Sequence, residues 1–137
     1  MSKVHTTNYV NTFIEIADDC KAEMGTVPPT KQEKTVANLQ FDMIFNQPYT
    51  FTSDDVLFTV YARRNNIAEV ELPTARVAFF AKGQPCFRAS PLTKSYGWGV
   101  HFDQDAKMAI FAKGSQRYDE LKNDKSLKQL KAMKASK

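Results

Sequence analysis

Cysteine occurs only twice in the 137 residues, at Cys20 and Cys86. A secreted scaffold of this size held by disulfides would carry more, so both thiols are expected to be reduced. No apolar run approaches the roughly eighteen residues that a spanning helix needs. The opening stretch, Met1 to Asn8, has no apolar core of a secretory signal. These absences argue against a membrane partner and point to the cytoplasm. Metal motifs are missing too. His5, His101, Cys20 and Cys86 include no pair at CxxC, HxxxH or HExxH spacing, so no metal site is assigned. Glycine is sparse, and Gly97-Trp98-Gly99 lacks the third glycine and the following helix of a phosphate-binding loop. No cofactor is indicated. Neither a repeat nor a low-complexity linker divides the chain.

Aromatic residues are plentiful at 12%, which favours a packed interior over disorder. The length suits one domain and is enough to bury a core without staples. The net charge of +4 is unevenly placed. Residues 122–137 hold six lysines against Asp124 alone, so this tail carries +5 and the remainder −1.

Periodicity predicts a strand over Asn11 to Ala17, with Thr12, Ile14 and Ile16 on one face and Phe13, Glu15 and Ala17 on the other. A first helix is expected to begin near Thr30, because Thr30 and Glu33 have capping-box spacing. Thr52 or Ser53 caps a second helix, with Asp54-Asp55 at its positive end and Arg63-Arg64 at its negative end. A third helix fits Pro73 to Lys82, stopped by Gly83. Gly97 to Phe102 and Lys107 to Ala112 alternate and form a hairpin. A last helix starts at Ser115. The tail has Leu127, Leu130 and Met133 between its lysines, and reads as a docked helix or a frayed end. Strand, helices, hairpin and helix in that order do not alternate in the βαβ manner. The expected fold is α+β: one domain over residues 1–121, a small antiparallel sheet with helices mainly on one face, and a lysine-rich tail over 122–137.

The segment from Gly83 to Phe102 contains no carboxylate. Arg88 and Lys94 supply cations, and Ser90, Thr93 and Ser95 supply hydroxyls. With His101 they are the candidate ligand-binding set, and their chemistry suits an anionic small molecule. The bland reading is a proline-bearing loop leading into a core strand, and functional residues tend to lie on such loops. Cys86, with Arg88 nearby and His101 as base, offers an alternative thiol-dependent enzyme, although no known nucleophile signature surrounds it. A further alternative is weak nucleic-acid binding through the tail lysines, with Tyr96 and Trp98 stacking on bases. The slightly acidic body argues against it, and Trp98 shares a face with Val100 and Phe102, as a core residue would. Glu15, Asp18 and Asp19 form an acidic cluster that reads ordinarily as a solvated strand end, and alternatively as a cation site or a partner for Arg88. The oligomeric state is not legible.

Several runs together resemble a known family: His5-Thr6-Thr7-Asn8-Tyr9, Asn11-Thr12-Phe13-Ile14-Glu15, Lys34 to Gln40, Thr52 to Phe58 and Lys82 to His101. They are similar to a family of small cytosolic proteins known only as a domain of unknown function. The likeness runs from His5 to about Leu121 and leaves the lysine-rich tail outside. It implies a stand-alone cytosolic protein and transfers no activity, substrate or catalytic role.

Overall fold

Phe13 and Ile14 are adjacent in sequence and both are fully buried. In a strand, neighbours point to opposite faces, so both faces at this point must be covered. The computed structural model, which describes residues 5–30 and 32–134, shows how. Strand β1 (Thr12–Glu15) lies inside a four-stranded sheet with β2 (Trp98–Phe102), β3 (Met108–Ala112) and β4 (Lys128–Lys131), in the order β3-β2-β1-β4. Helices α1 (Val36–Asn46), α2 (Ser53–Arg64), α3 (Leu72–Phe80) and α4 (Pro91–Lys94) come between β1 and β2, and α5 (Gln116–Lys122) comes between β3 and β4. The fold is α+β in a single small domain, as expected.

The expected hairpin forms, with Trp98 opposite Ala112 and Phe102 opposite Met108. The Asp103 carboxylate closes its turn by accepting the N–H groups of Asp105 and Lys107 at 2.8 and 2.9 Å. β1 pairs with β2 antiparallel, Phe13 facing His101 and Ile14 facing Val100. The sheet is nevertheless mixed rather than antiparallel, because β4 pairs with β1 in parallel, Thr12 beside Lys128 and Glu15 beside Lys131.

That pairing corrects the reading of the tail as a helix or a frayed end. The three-residue spacing of Leu127, Leu130 and Met133 is not a helical stripe. Leu127 packs in the cluster around Phe13, whereas Leu130 and the buried Ala132 pack against the main core on the other face. Residues 122–134 therefore belong to the domain, which does not stop at residue 121. Residues 135–137 lie outside the described residues.

The main core fills the face carrying Ile14, Val100, Phe102 and Met108, against α1, α2, α4 and Phe87. α3 packs on α2 through Phe58, Ala62 and Phe80. On the opposite face α5 brings Tyr118 and Leu121 onto Phe13 and Ile16. Ile16 thus joins Phe13, not Ile14 as alternation predicts, because the strand ends at Glu15 and the chain turns. Burial pushes the Tyr118 hydroxyl up to about 12, and its oxygen accepts the Ile16 N–H at 3.1 Å.

The helix starts follow capping chemistry. α1 begins five residues later than the Thr30–Glu33 spacing suggests. Its box is Thr35 with Asn38, whose side chain accepts the Thr35 N–H at 3.0 Å while Thr35 accepts the Asn38 N–H at 3.2 Å. The Asn38 amide also donates to the carbonyls of Pro28 and Pro29, which ties the proline loop to the helix start. α2 is capped by Thr52, as expected, in a box with Asp55. α3 stops at Phe80 rather than Lys82, and Gly83 does not adopt a left-handed stop. The Gln84 amide instead donates to the carbonyl of Phe79 at 2.8 Å.

Candidate functional site

The residues after Gln84 cannot continue a helix through Pro85, and they turn back over the helical layer. A short 3-10 turn, Phe87–Ala89, is anchored by the fully buried Phe87 ring. Ser90 then caps α4, accepting the Leu92 N–H at 3.1 Å, and Pro91 takes the first helical position. The result is a rigid lip standing opposite the C-terminal half of α2.

Between lip and helices lies a cleft of about 510 Å³. Val36 and Gln40 of α1 line its inner side. Leu57, Val60, Tyr61, Arg64 and Asn65 form the α2 wall, and Phe79 closes the α3 end. Tyr61 and Phe79 make one aromatic surface, their ring centroids 4.7 Å apart. The lip contributes Gln84, Pro85, Cys86, Ala89, Ser90 and Pro91. Among the described residues no carboxylate lines the cleft, and Arg64 is its single charged residue. Arg64 is exposed and makes no ion pair among the described residues.

The candidate residues drawn from the sequence do not gather in one place. Ser90 lines the cleft, but its hydroxyl is engaged with the Gln40 side-chain oxygen at 2.6 Å. Thr93 is fully buried and donates to the carbonyls of Phe87 and Ser90. Arg88 points to the sheet edge, where its Nε donates to the Lys131 carbonyl at 2.7 Å and its own carbonyl accepts the Met133 N–H at 2.7 Å. It therefore locks β4 in place. Lys94 is half-buried at the end of α4 and Ser95 is exposed, and neither lines the cleft.

His101 lies across the sheet. It faces Phe13 on the side covered by α5, and its Nδ1 is 2.7 Å from the Tyr49 hydroxyl. Burial, with the Arg117 charge, holds His101 below its ordinary value, while Asp103 and Asp124 oppose the shift. Burial raises Tyr49, against the Arg117 charge, so the phenol keeps its proton at neutral pH, and the His101 tautomer decides which of the two donates.

Cys86 is on the other side, so the sheet separates this thiol from His101 and no thiol–imidazole pair forms. Its partner is Tyr9, whose hydroxyl donates to Sγ at 3.1 Å. Burial and the bond to Cys86 push Tyr9 up to about 12, against the nearby Arg88 charge. Both cysteines are free thiols.

Two members of the acidic cluster meet tail lysines. Lys131 pairs with Asp18 at 3.0 Å and Lys122 with Glu15 at 3.9 Å. Trp98 is buried and donates to the Thr26 carbonyl at 2.8 Å, so its face is not presented for stacking. Among the described residues no three His, Cys, Asp or Glu side chains gather as a metal site. Among them also, no helix is long and apolar enough to cross a membrane.

Two residues of the cleft, and one that bonds its Cys86, escape sequence reasoning. Arg64 is fully explained there as a complement to the α2 dipole. Gln40 interrupts an apolar stripe without forming a motif. Tyr9 precedes the first predicted element. The nearest signal was the carboxylate-free stretch itself, whose first half supplies the lip.

The chain belongs to a family of unknown function, DUF6157, whose profile matches residues 4–137. The match includes β4 and the lysine-rich tail, beyond the limit at Leu121 set by the resembling runs. No curated protein and no solved structure matches the chain.

Proposed function

We propose that this member of the family binds a small anionic molecule in the cleft between α2 and the 84–91 lip. The observation that carries the reading is a roomy apolar cleft whose single charge among the described residues is a guanidinium without an ion pair, with no carboxylate among the described residues on its lining. Apolar walls with a few placed polar groups are the usual composition of small-molecule sites. A guanidinium at the rim attracts an anion and can bond it in a fork. Arg88 sits close enough to influence Tyr9 and adds positive potential behind the lip. The proposed setting is cytoplasmic, where two unpaired thiols persist.

The test uses 4-phenylbutanoate and its uncharged counterpart 4-phenylbutanamide in a thermal-shift assay. A ligand at a hundred times its Kd stabilises the native state by about 2.7 kcal/mol. The anion is expected to raise the melting temperature and the amide to raise it far less. Arg64→Gln is expected to weaken the anion by roughly ten- to a hundredfold, the worth of a charged hydrogen bond. Lys94→Ala, outside the cleft, is expected to change nothing. Equal shifts from anion and amide would remove the reading.

A further inference from the structure

Gln40 lines the cleft and yet is only 3% exposed. Its carboxamide offers an acceptor oxygen and two N–H donors. Ser90 decides which end goes where. The Ser90 oxygen already receives the Leu92 N–H, so its own proton needs an acceptor, and Gln40 Oε1 stands 2.6 Å away. With the oxygen committed to Ser90, the Gln40 amide nitrogen has no partner among the described residues. Every fully sealed side-chain polar atom among them has one. The nitrogen is therefore not sealed, and on a side chain that lines the cleft it opens inward. A donor this deep in an apolar wall is costly to leave unmade. Arg64, by contrast, is exposed at the rim.

We infer that Gln40 is the inner recognition group of the cleft, and that the ligand is an acyl-type anion. Its carbonyl accepts from Gln40 Nε2, its apolar body lies along Leu57, Val60 and Phe79, and its negative group reaches Arg64. This rests on the cleft being an anion site and names the class of anion. Ser90 is a positioning residue: it touches no ligand and holds the amide with its N–H groups turned inward. Selectivity follows from the physics of buried donors. A ligand with a carbonyl at this depth satisfies the donor, and one with a methylene leaves it stranded.

The experiment compares 4-oxo-4-phenylbutanoate with 4-phenylbutanoate by calorimetry on the full chain. The two share the ring, the length and the carboxylate, and differ by one carbonyl. The oxo anion is expected to bind about tenfold tighter. Gln40→Met keeps the length and removes the donor, and is expected to erase that preference while 4-phenylbutanoate binds as before. Should the variant fail to fold, the Gln40 side-chain amide signals in the 15N spectrum of the unaltered protein decide. They are expected to move with the oxo anion and not with the other. If both anions bind equally and those signals stay still, the inference falls while the anion cleft stands. If neither anion binds, the cleft reading falls and takes the inference with it.

Discussion

Gly99 shows how one missing side chain can set a whole layer. A Cβ placed there would lie 2.6 Å from both the Phe13 and the Tyr118 rings. Those rings meet edge-on, their centroids 5.2 Å apart, and together they seal the α5 face. Gly99→Ala is expected to cost about 1–3 kcal/mol through overpacking, read as a lower denaturant midpoint with an unchanged slope. Gly97, at φ +80, is held by its backbone conformation instead. The ionisable residues carry a second expectation. His101 has a folded value below the usual 6.5, so below that pH the unfolded chain takes up the proton first and stability falls. Asp55 acts in the same direction in a more acidic window. Burial works to raise it, but the Thr52 N–H, the Arg76 guanidinium and the Thr52 hydroxyl outweigh burial and lower it below 3.8. Its contribution is present above that value and is lost as pH falls through the folded value. Melting temperatures are thus expected to decline in two stages on acidification. An imidazole NMR titration of His101 with a midpoint at or above 6.5 would contradict the first stage.

Among the elements, legibility followed how local the cause was. The α2 cap, the β2–β3 hairpin and the Ser115 start of α5 each depend on a few neighbouring residues, and all were readable. α1 was displaced because its box uses Asn38 where Glu or Gln is the usual sign, and because Pro28 and Pro29 bind that same Asn38 from a distance. β4 was unreadable for a different reason. Lys128-Gln129-Leu130-Lys131 has almost no apolar content, and its strand state comes from β1, to which it adds. An edge strand rich in lysine is also protected from pairing with another chain. A chain ending at Asn123 is expected to lose at least roughly 2 kcal/mol through the burial of Leu130 and Ala132, and to melt earlier. A dispensable tail would leave the melting temperature unmoved. The candidate site was legible only as a stretch. Composition located the lip, but the wall opposite comes from α2 and the inner donor from α1, and no local pattern joins them.

For the molecule as a whole, charge reads differently in three dimensions than along the chain. The tail looks strongly basic, yet Lys131 and Lys122 face Asp18 and Glu15, so part of that charge is balanced across the sheet. Apart from Glu15 these side chains are more than half exposed, and the pairs contribute little to stability. The cleft, whose described lining has Arg64 and no acid, keeps a positive charge that these pairs do not touch.

The partnership of Thr12 with Lys128 also sets a timetable. During synthesis the first strand leaves the ribosome long before the last one exists. Until then one flank of β1 has open amides and carbonyls, and Arg88 has no Lys131 carbonyl to grip. The nascent chain must therefore pass through a state in which the sheet is unfinished, and the last pairing closes only after most of the chain has been made.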